Sequence, residues 1–345
     1  MPTADPGLRA VLDGAIPFAL PLRRRFRGID VREGILIKGP NGWGEFAPFD
    51  DYSDSAAARW LESAVEAAYG DWPAARRSHI AVNAIIPAVP SDDAATLTRA
   101  AVIDGGCRTV KVKVGDADLA EDEARVARVR DVLDTLLGRG RGAIRIDANG
   151  VWGVETAAAA LRRLGAYGLE YVEQPCASVE ELLRLRRLTD VPIAVDETVR
   201  TADDPTALRV REFADVAVLK AAPLGGVAAA LRVADSLDVP VVVSGSLDSS
   251  VGLAVGLALA AALDDLPYAC GLGTGSLLAA DITDGASTPE GGALRVGRRV
   301  PDLPALLAAR DRMDDDRAKW WRSRLAGAWA AGAADRVGAL VSGAG

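Results

Sequence analysis

From His79 onward, short β-branched runs alternate with amphipathic stretches rich in alanine and arginine. The runs predict strands at His79–Ile86, Thr109–Val114, Ala143–Asp147, Tyr171–Glu173, Ile193–Asp196, Val216–Lys220, Val239–Ser244 and Pro267–Gly271. Apolar residues recurring every three to four positions predict helices over Asp92–Ile103, Ala117–Leu137, Val154–Leu164, Val179–Leu188, Pro205–Phe213, Gly226–Ser236 and Ser250–Leu263. Strands that alternate with helices in this way predict an α/β fold, a closed TIM-type (β/α) barrel. An open doubly wound sheet is the second choice, but no GxGxxG follows an early strand.

Residues 1–78 have a different texture. Arg24–Lys38 and Gly42–Phe46 predict strands of a meander, with turn chemistry in Gly39-Pro40-Asn41-Gly42. Asp54–Tyr69 predicts a helix, capped at Ser53 or Asp54 and stopped by Gly70. The expected organisation is an α+β capping domain over 1–78 and a catalytic barrel over 79–284. Beyond residue 285 the rhythm breaks, and Ala305–Leu340 is helical in pattern. This tail is expected to pack back onto the capping domain. Phe46–Tyr52, which mixes aromatics with acids, is expected to form a flap over a pocket.

Half of the 345 residues are hydrophobic and only 5% aromatic, which suits parallel strands covered by alanine-rich helices. The formal charge is -8, and no basic stripe interleaved with aromatics appears, so nucleic acid is not expected as a partner. Cys107, Cys176 and Cys270 are widely spaced and form neither a disulfide framework nor a zinc motif, as in a reducing cytoplasm. The first basic cluster follows the first apolar segment, the reverse of a secretory signal. The apolar run Val251–Leu263 is too short to cross a membrane. A cytoplasmic enzyme with a small-molecule partner is expected; the residues leave monomer and homo-oligomer equally open.

The chemistry concentrates at strand ends. VKVKVG at Val110–Gly115 places Lys111 and Lys113 on one face of a strand, where burial and like charge are expected to depress both ammonium pKa values. The following strands end in Asp147, Glu173, Asp196 and Lys220, each about one strand–helix unit from the last. In a barrel these groups share the carboxyl-terminal mouth, where barrel active sites lie. Three acids converging there call for a cation, and an all-oxygen set points to Mg²⁺, with Mn²⁺ as the alternative. A cation beside lysines suits removal of the α-proton of a substrate carboxylate. His79, the single histidine, starts a strand at the opposite end and is expected to be structural. Lysines on both sides of the acids can move a proton across two faces, or take a proton and expel a leaving group on one face. A sugar-phosphate barrel using Gly271–Gly275, and a non-catalytic metal-binding barrel, are the competing readings from other classes.

Taken together, Lys111, Lys113, Asp147, Glu173, Asp196 and Lys220 resemble the enolase superfamily in its muconate-lactonising subgroup. The segments FRGIDVREGILI, GWGEFAPFDDY, RIDANG, YVEQP, AVDET, VLKAAPLGG and SGSLDSSVGL are similar to its dehydrating branch, which converts a succinyl-bearing cyclohexadiene carboxylate in menaquinone biosynthesis. The resemblance implies Lys113 as the base and as acid to the departing hydroxyl, Lys220 as an electrostatic partner on the opposite face, and Lys111 as a tuning group. It implies Asp147, Glu173 and Asp196 as Mg²⁺ ligands. Asn149, Ser246, Ser249 and Ser250 would touch substrate, the serine loop through backbone N–H groups at a helix start, and Arg27 and Tyr52 would close over it. N-acylamino acid racemases and dipeptide epimerases use the same lysine pair, and remain the alternatives within the family.

Overall fold

The computed structural model describes residues 5–116 and 118–343. Helix α1 (Pro6–Asp13) is followed by a three-stranded antiparallel sheet of β1 (Ala15–Phe26), β2 (Ile29–Gly39) and β3 (Gly42–Phe46), and then by α2 (Asp54–Tyr69). The segment Arg24–Lys38, expected as one strand, contains the turn of the β1–β2 hairpin. Arg27 and Gly28 both adopt left-handed φ, 51° and 78°, so a two-residue loop reverses the chain between the paired Phe26 and Ile29. An arginine at the first turn position carries none of the Asn, Asp or Gly signal that marks such a loop. Glycine is required at Gly44, where a Cβ would overlap the Ala64 carbonyl of α2.

The barrel wall begins with β4 (His79–Ala81) and β5 (Ala84–Ile86), then α3 (Ser91–Ile103), β6 (Thr109–Lys113), α4 (Leu119–Leu137), β7 (Ala143–Asp147) and α5 (Val154–Leu164). It continues with β8 (Leu169–Glu173), α6 (Val179–Leu185), β9 (Ile193–Val195), α7 (Glu197–Arg200) and β10 (Val216–Leu219). Two helices, α8 (Ala221–Leu224) and α9 (Val227–Ser236), lead to β11 (Val241–Val243) and α10 (Ser250–Ala262). Strands β5 to β11 are parallel neighbours in chain order. Ala117, where a helix start is expected, lies outside the described residues.

The ring closes through two residues. Cys270 N–H donates to Ala81 O (2.7 Å) and Cys270 O accepts from Asn83 N–H (2.9 Å); Gly271 N–H donates to Val243 O (2.8 Å) and Gly271 O accepts from Gly245 N–H (3.0 Å). The expected strand at Pro267–Gly271 is thus reduced to its last two residues, Pro267 having no N–H to give to a ladder. The expected strand His79–Ile86 is divided by a change of partner: β4 pairs antiparallel with β12 (Ala293–Arg295), whereas β5 pairs with β6. Pro205–Phe213 is two 3₁₀ turns instead of a helix, separated by the extended Leu208. The wall keeps the expected barrel class despite these local differences.

The tail forms α11 (Leu303–Arg310), α12 (Asp315–Ala328) and α13 (Ala334–Ser342). Trp321, Leu325, Trp329, Val337 and Val341 share one apolar core with Val11, Ile35, Phe46, Trp60 and Leu61 of the amino-terminal elements. The barrel has its own, larger core. Two carboxylates join the capping sheet and helix to the barrel at helix starts, where N–H groups are free and the dipole favours an anion. Glu66 of α2 accepts from Val227 N–H (2.5 Å) and Ala228 N–H (3.0 Å), and Glu45 of β3 accepts from Ser249 N–H (3.2 Å). The three cysteines are free and buried. Among the described residues no helix is long and apolar enough to cross a membrane.

Candidate active site

Parallel pairing sets the site. Lys113 is opposite Asp147 across β6 and β7, and Asp147 is opposite Glu173 across β7 and β8. Asp196 directly follows β9 and Lys220 directly follows β10, so the five acidic and basic strand ends occupy neighbouring positions around the mouth. Asp147, Glu173 and Asp196 are each only 1% exposed. Lys111 Nζ donates to both Glu173 oxygens (2.9 and 3.0 Å) and lies 3.2 Å from Asp147 Oδ2. Lys113 Nζ donates to Asp147 Oδ2 (2.6 Å) and to Asn149 Oδ1 (2.6 Å). Lys220 Nζ donates to Asp196 Oδ2 (2.6 Å), and Arg200 Nε donates to Asp196 Oδ1 (3.1 Å).

These pairings separate the two neighbouring lysines electrostatically. Burial and the Lys111 ammonium hold Lys113 below the ordinary lysine value, against the pull of Asp147. Lys111, expected to be depressed as well, is raised: burial acts downward, but the Glu173 and Asp147 carboxylates together outweigh it. Asp147 is held well below the usual carboxylate range by Lys113 and Lys111 in spite of its burial. Glu173 is pushed up to about 7 by burial and by the charge of Asp147. Asp196 is lowered by Lys220 and Arg200, again against burial.

Among the described residues no three His, Cys, Asp or Glu side chains stand ready around one metal position. The expected convergence of the acids is replaced by ion pairs, with Lys111 between Asp147 and Glu173 and with Lys220 and Arg200 on Asp196. The donor set nevertheless fits a hard divalent cation: three buried carboxylates on adjacent strands, without sulfur or imidazole.

A cleft of about 1190 Å³ opens between the β1–β2 hairpin tip, the 49–53 loop and the barrel mouth. Lys113, Asn149, Arg27, Tyr52 and Arg200 line it. The Phe26 ring centre is 5.9 Å from Lys113 Nζ, and the Arg27 guanidinium lies 4.9 Å from the centre of Phe49. Ser246, Ser249 and Ser250 are outside the lining. Their N–H groups, expected to meet a substrate carboxylate, already donate to Asp248, Glu45 and Asp281. Buried carboxylates from the same loop, from β3 and from the 281 segment have taken the place foreseen for a ligand.

Both halves of this arrangement have known counterparts. The Enolase C-terminal domain-like family matches residues 93–304, and the Enolase N-terminal domain-like family matches 18–68. The chain belongs to the enolase superfamily. It is 51% identical over 316 residues to the o-succinylbenzoate synthase of Thermobifida fusca, covering 91% of this chain and 95% of that protein. It is 49% identical over 323 residues to the o-succinylbenzoate synthase of Mycobacterium leprae, covering 93% and 92%. Among solved structures, a muconate cycloisomerase variant superimposes with a TM-score of 0.72 at 19% identity, over 86% of this chain and 98% of that one. The L-Ala-D/L-Glu epimerase of Bacillus subtilis gives 0.66 at 21%, over 83% and 96%. Both structural likenesses concern the fold.

In this enolase-superfamily barrel several residues at the mouth and deeper in the barrel lie outside the expected site set. Arg200 and Glu197 follow Asp196 on α7; the acid-then-arginine spacing Glu197-x-x-Arg200 was the available signal. Gln174 Oε1 accepts from Asp196 N–H (3.1 Å) and Thr198 N–H (3.2 Å), fixing the start of that turn. Arg145, two residues before Asp147 and on the same strand face, is fully buried against Tyr171 and donates to Glu170 Oε2 (2.6 Å). Its place in the alternation of IRID was legible, but its partners were not.

Proposed function

We propose that the chain is an o-succinylbenzoate synthase, dehydrating 2-succinyl-6-hydroxy-2,4-cyclohexadiene-1-carboxylate to 2-succinylbenzoate in menaquinone biosynthesis. The observation that carries this reading is the half-identity, over nine-tenths of the chain, to proteins of that name, together with a lysine-flanked row of buried carboxylates. Asp147, Glu173 and Asp196 would hold Mg²⁺. When bound, it supplies positive charge at the substrate carboxylate, which makes the α-proton more acidic.

Lys113 takes the α-proton. It lines the cleft, and burial beside Lys111 disfavours its charged form, as a base requires. The ammonium so formed returns a proton to the C6 hydroxyl on the same face, so that water leaves and the ring becomes aromatic. Lys220, four strands away across the row of acids and hydrogen-bonded to Asp196, opposes the negative charge that develops on the other face. Lys111, held as ammonium by Glu173 and Asp147, keeps Lys113 below its ordinary value. Asn149 anchors Lys113, while Arg27 and Tyr52 border the substrate from the capping side.

The test follows loss of the cyclohexadiene by ultraviolet absorbance, with Mg²⁺ and then with excess chelator. Chelator-sensitive turnover is expected, and Lys113→Ala should lower it by roughly 10²–10⁴-fold while leaving the fold intact. Near-normal turnover in that variant would remove Lys113 as the base. Absence of dehydration with rapid α-deuterium exchange into N-succinylamino acids or dipeptides in D₂O would transfer the reading to a racemase or epimerase.

A further inference from the structure

The bonds around Lys113 extend beyond the carboxylate row. Its Nζ donates to Asn149 Oδ1, and Asn149 Nδ2 donates to Glu197 Oε1 (3.3 Å). The same Oε1 accepts from Arg200 Nη2 (2.7 Å), and Arg200 Nη1 donates to Tyr52 Oη on the capping side. An unbroken hydrogen-bonded chain therefore connects Tyr52, Arg200, Glu197, Asn149 and Lys113.

Each link constrains the next. An ammonium only donates and a carboxylate only accepts, so the amide between them has a single productive orientation. The Asn149 backbone is itself held locally, in a left-handed conformation (φ 47°) with its N–H donating to Asp147 Oδ1 (3.1 Å). Among the described residues Glu197 Oε2 is buried without a hydrogen-bond partner, and Oε1 is the oxygen that holds the amide. A carboxylate in that position depends on the neighbouring guanidinium, which Asp196 and Tyr52 in turn hold in place.

We propose that Glu197 is a positioning residue for Lys113, acting through the Asn149 amide, and that Arg200 and Tyr52 tie this setting to the capping loop. The inference rests on Lys113 being the base of the proposed reaction. It extends that reading by making the reach of the base depend on a residue that bonds neither Lys113 nor the other two lysines. Glu197→Ala removes the acceptor and frees the amide to turn its NH₂ toward the ammonium. Glu197→Gln keeps an oxygen that can accept from the same two donors and places its own NH₂ where Oε2 had no partner.

Two readouts test it. In the dehydration assay, Glu197→Ala should lower kcat by about 10–100-fold with KM little changed, and Glu197→Gln should recover most of that loss. Independently of activity, trace acetylation followed by peptide mass spectrometry compares Lys113 with the exposed Lys319 of the same molecule. Losing the anchor should raise relative labelling of Lys113 about tenfold in Glu197→Ala, with Glu197→Gln near wild type. Unchanged labelling in Glu197→Ala, a variant in which only KM rises, or a Glu197→Gln as impaired as Glu197→Ala would each overturn the proposal. A wild-type protein that labels as expected but does not dehydrate the cyclohexadiene would refute the proposed function and leave the positioning role standing.

Discussion

Glu45 offers a stability experiment with a definite sign. Its carboxylate is 6% exposed, caps the barrel helix α10 through Ser249, and is pushed up to about 7 by burial and by the charge of Asp248. In the unfolded chain the same group titrates near its ordinary 4.5. Between those values the folded protein binds more protons than the unfolded one, so stability falls as pH rises through the window. Below the window both states are protonated and the penalty vanishes; above it the penalty is complete. At about 1.4 kcal/mol per pH unit the full penalty is roughly 3 kcal/mol, of which about 2–3 kcal/mol accrues between pH 5 and pH 8. Glu45→Gln cannot ionise and escapes it. Urea unfolding of both proteins at pH 5 and pH 8 should show the variant gaining about 2–3 kcal/mol on wild type at the higher pH. A stability gap that does not change with pH would refute the claim that this buried contact holds a proton-sensitive carboxylate.

Two further outcomes test other parts of the molecule. Asp196→Asn should weaken Mg²⁺ binding by about tenfold or more in a calorimetric titration, because a carboxylate charge is lost from the donor set; an unchanged titration would remove Asp196 from that set. Trp321→Ala should cost about 3–5 kcal/mol in urea unfolding, since Trp321 is 1% exposed, packs edge-on against Phe46 and donates to Glu33 Oε2. A loss below about 1 kcal/mol would mean that the tail contributes little to the core it shares with the amino-terminal elements.

The residues themselves determined the barrel class and the order of charged groups along it. Strand alternation is a local, period-two property, and parallel strands connected by helices bring their carboxyl ends to one rim. The pattern alone therefore brings Lys113, Asp147, Glu173, Asp196 and Lys220 near one another. Tertiary packing decided which charge meets which. Lys111 and Lys113 are equivalent in the alternation, yet one is raised between two carboxylates and the other lowered. Tyr52 and Arg200, 148 positions apart, and Glu45 and Ser249, 204 apart, meet only because the capping elements dock on the barrel. The hairpin turn at Arg27 and the closure at Cys270–Gly271 likewise depend on neighbours, because their residues carry weak local signals. Periodicity follows from a few adjacent residues, whereas ion pairing, desolvation and hydrogen-bond partners depend on surfaces that the chain brings together from distant positions.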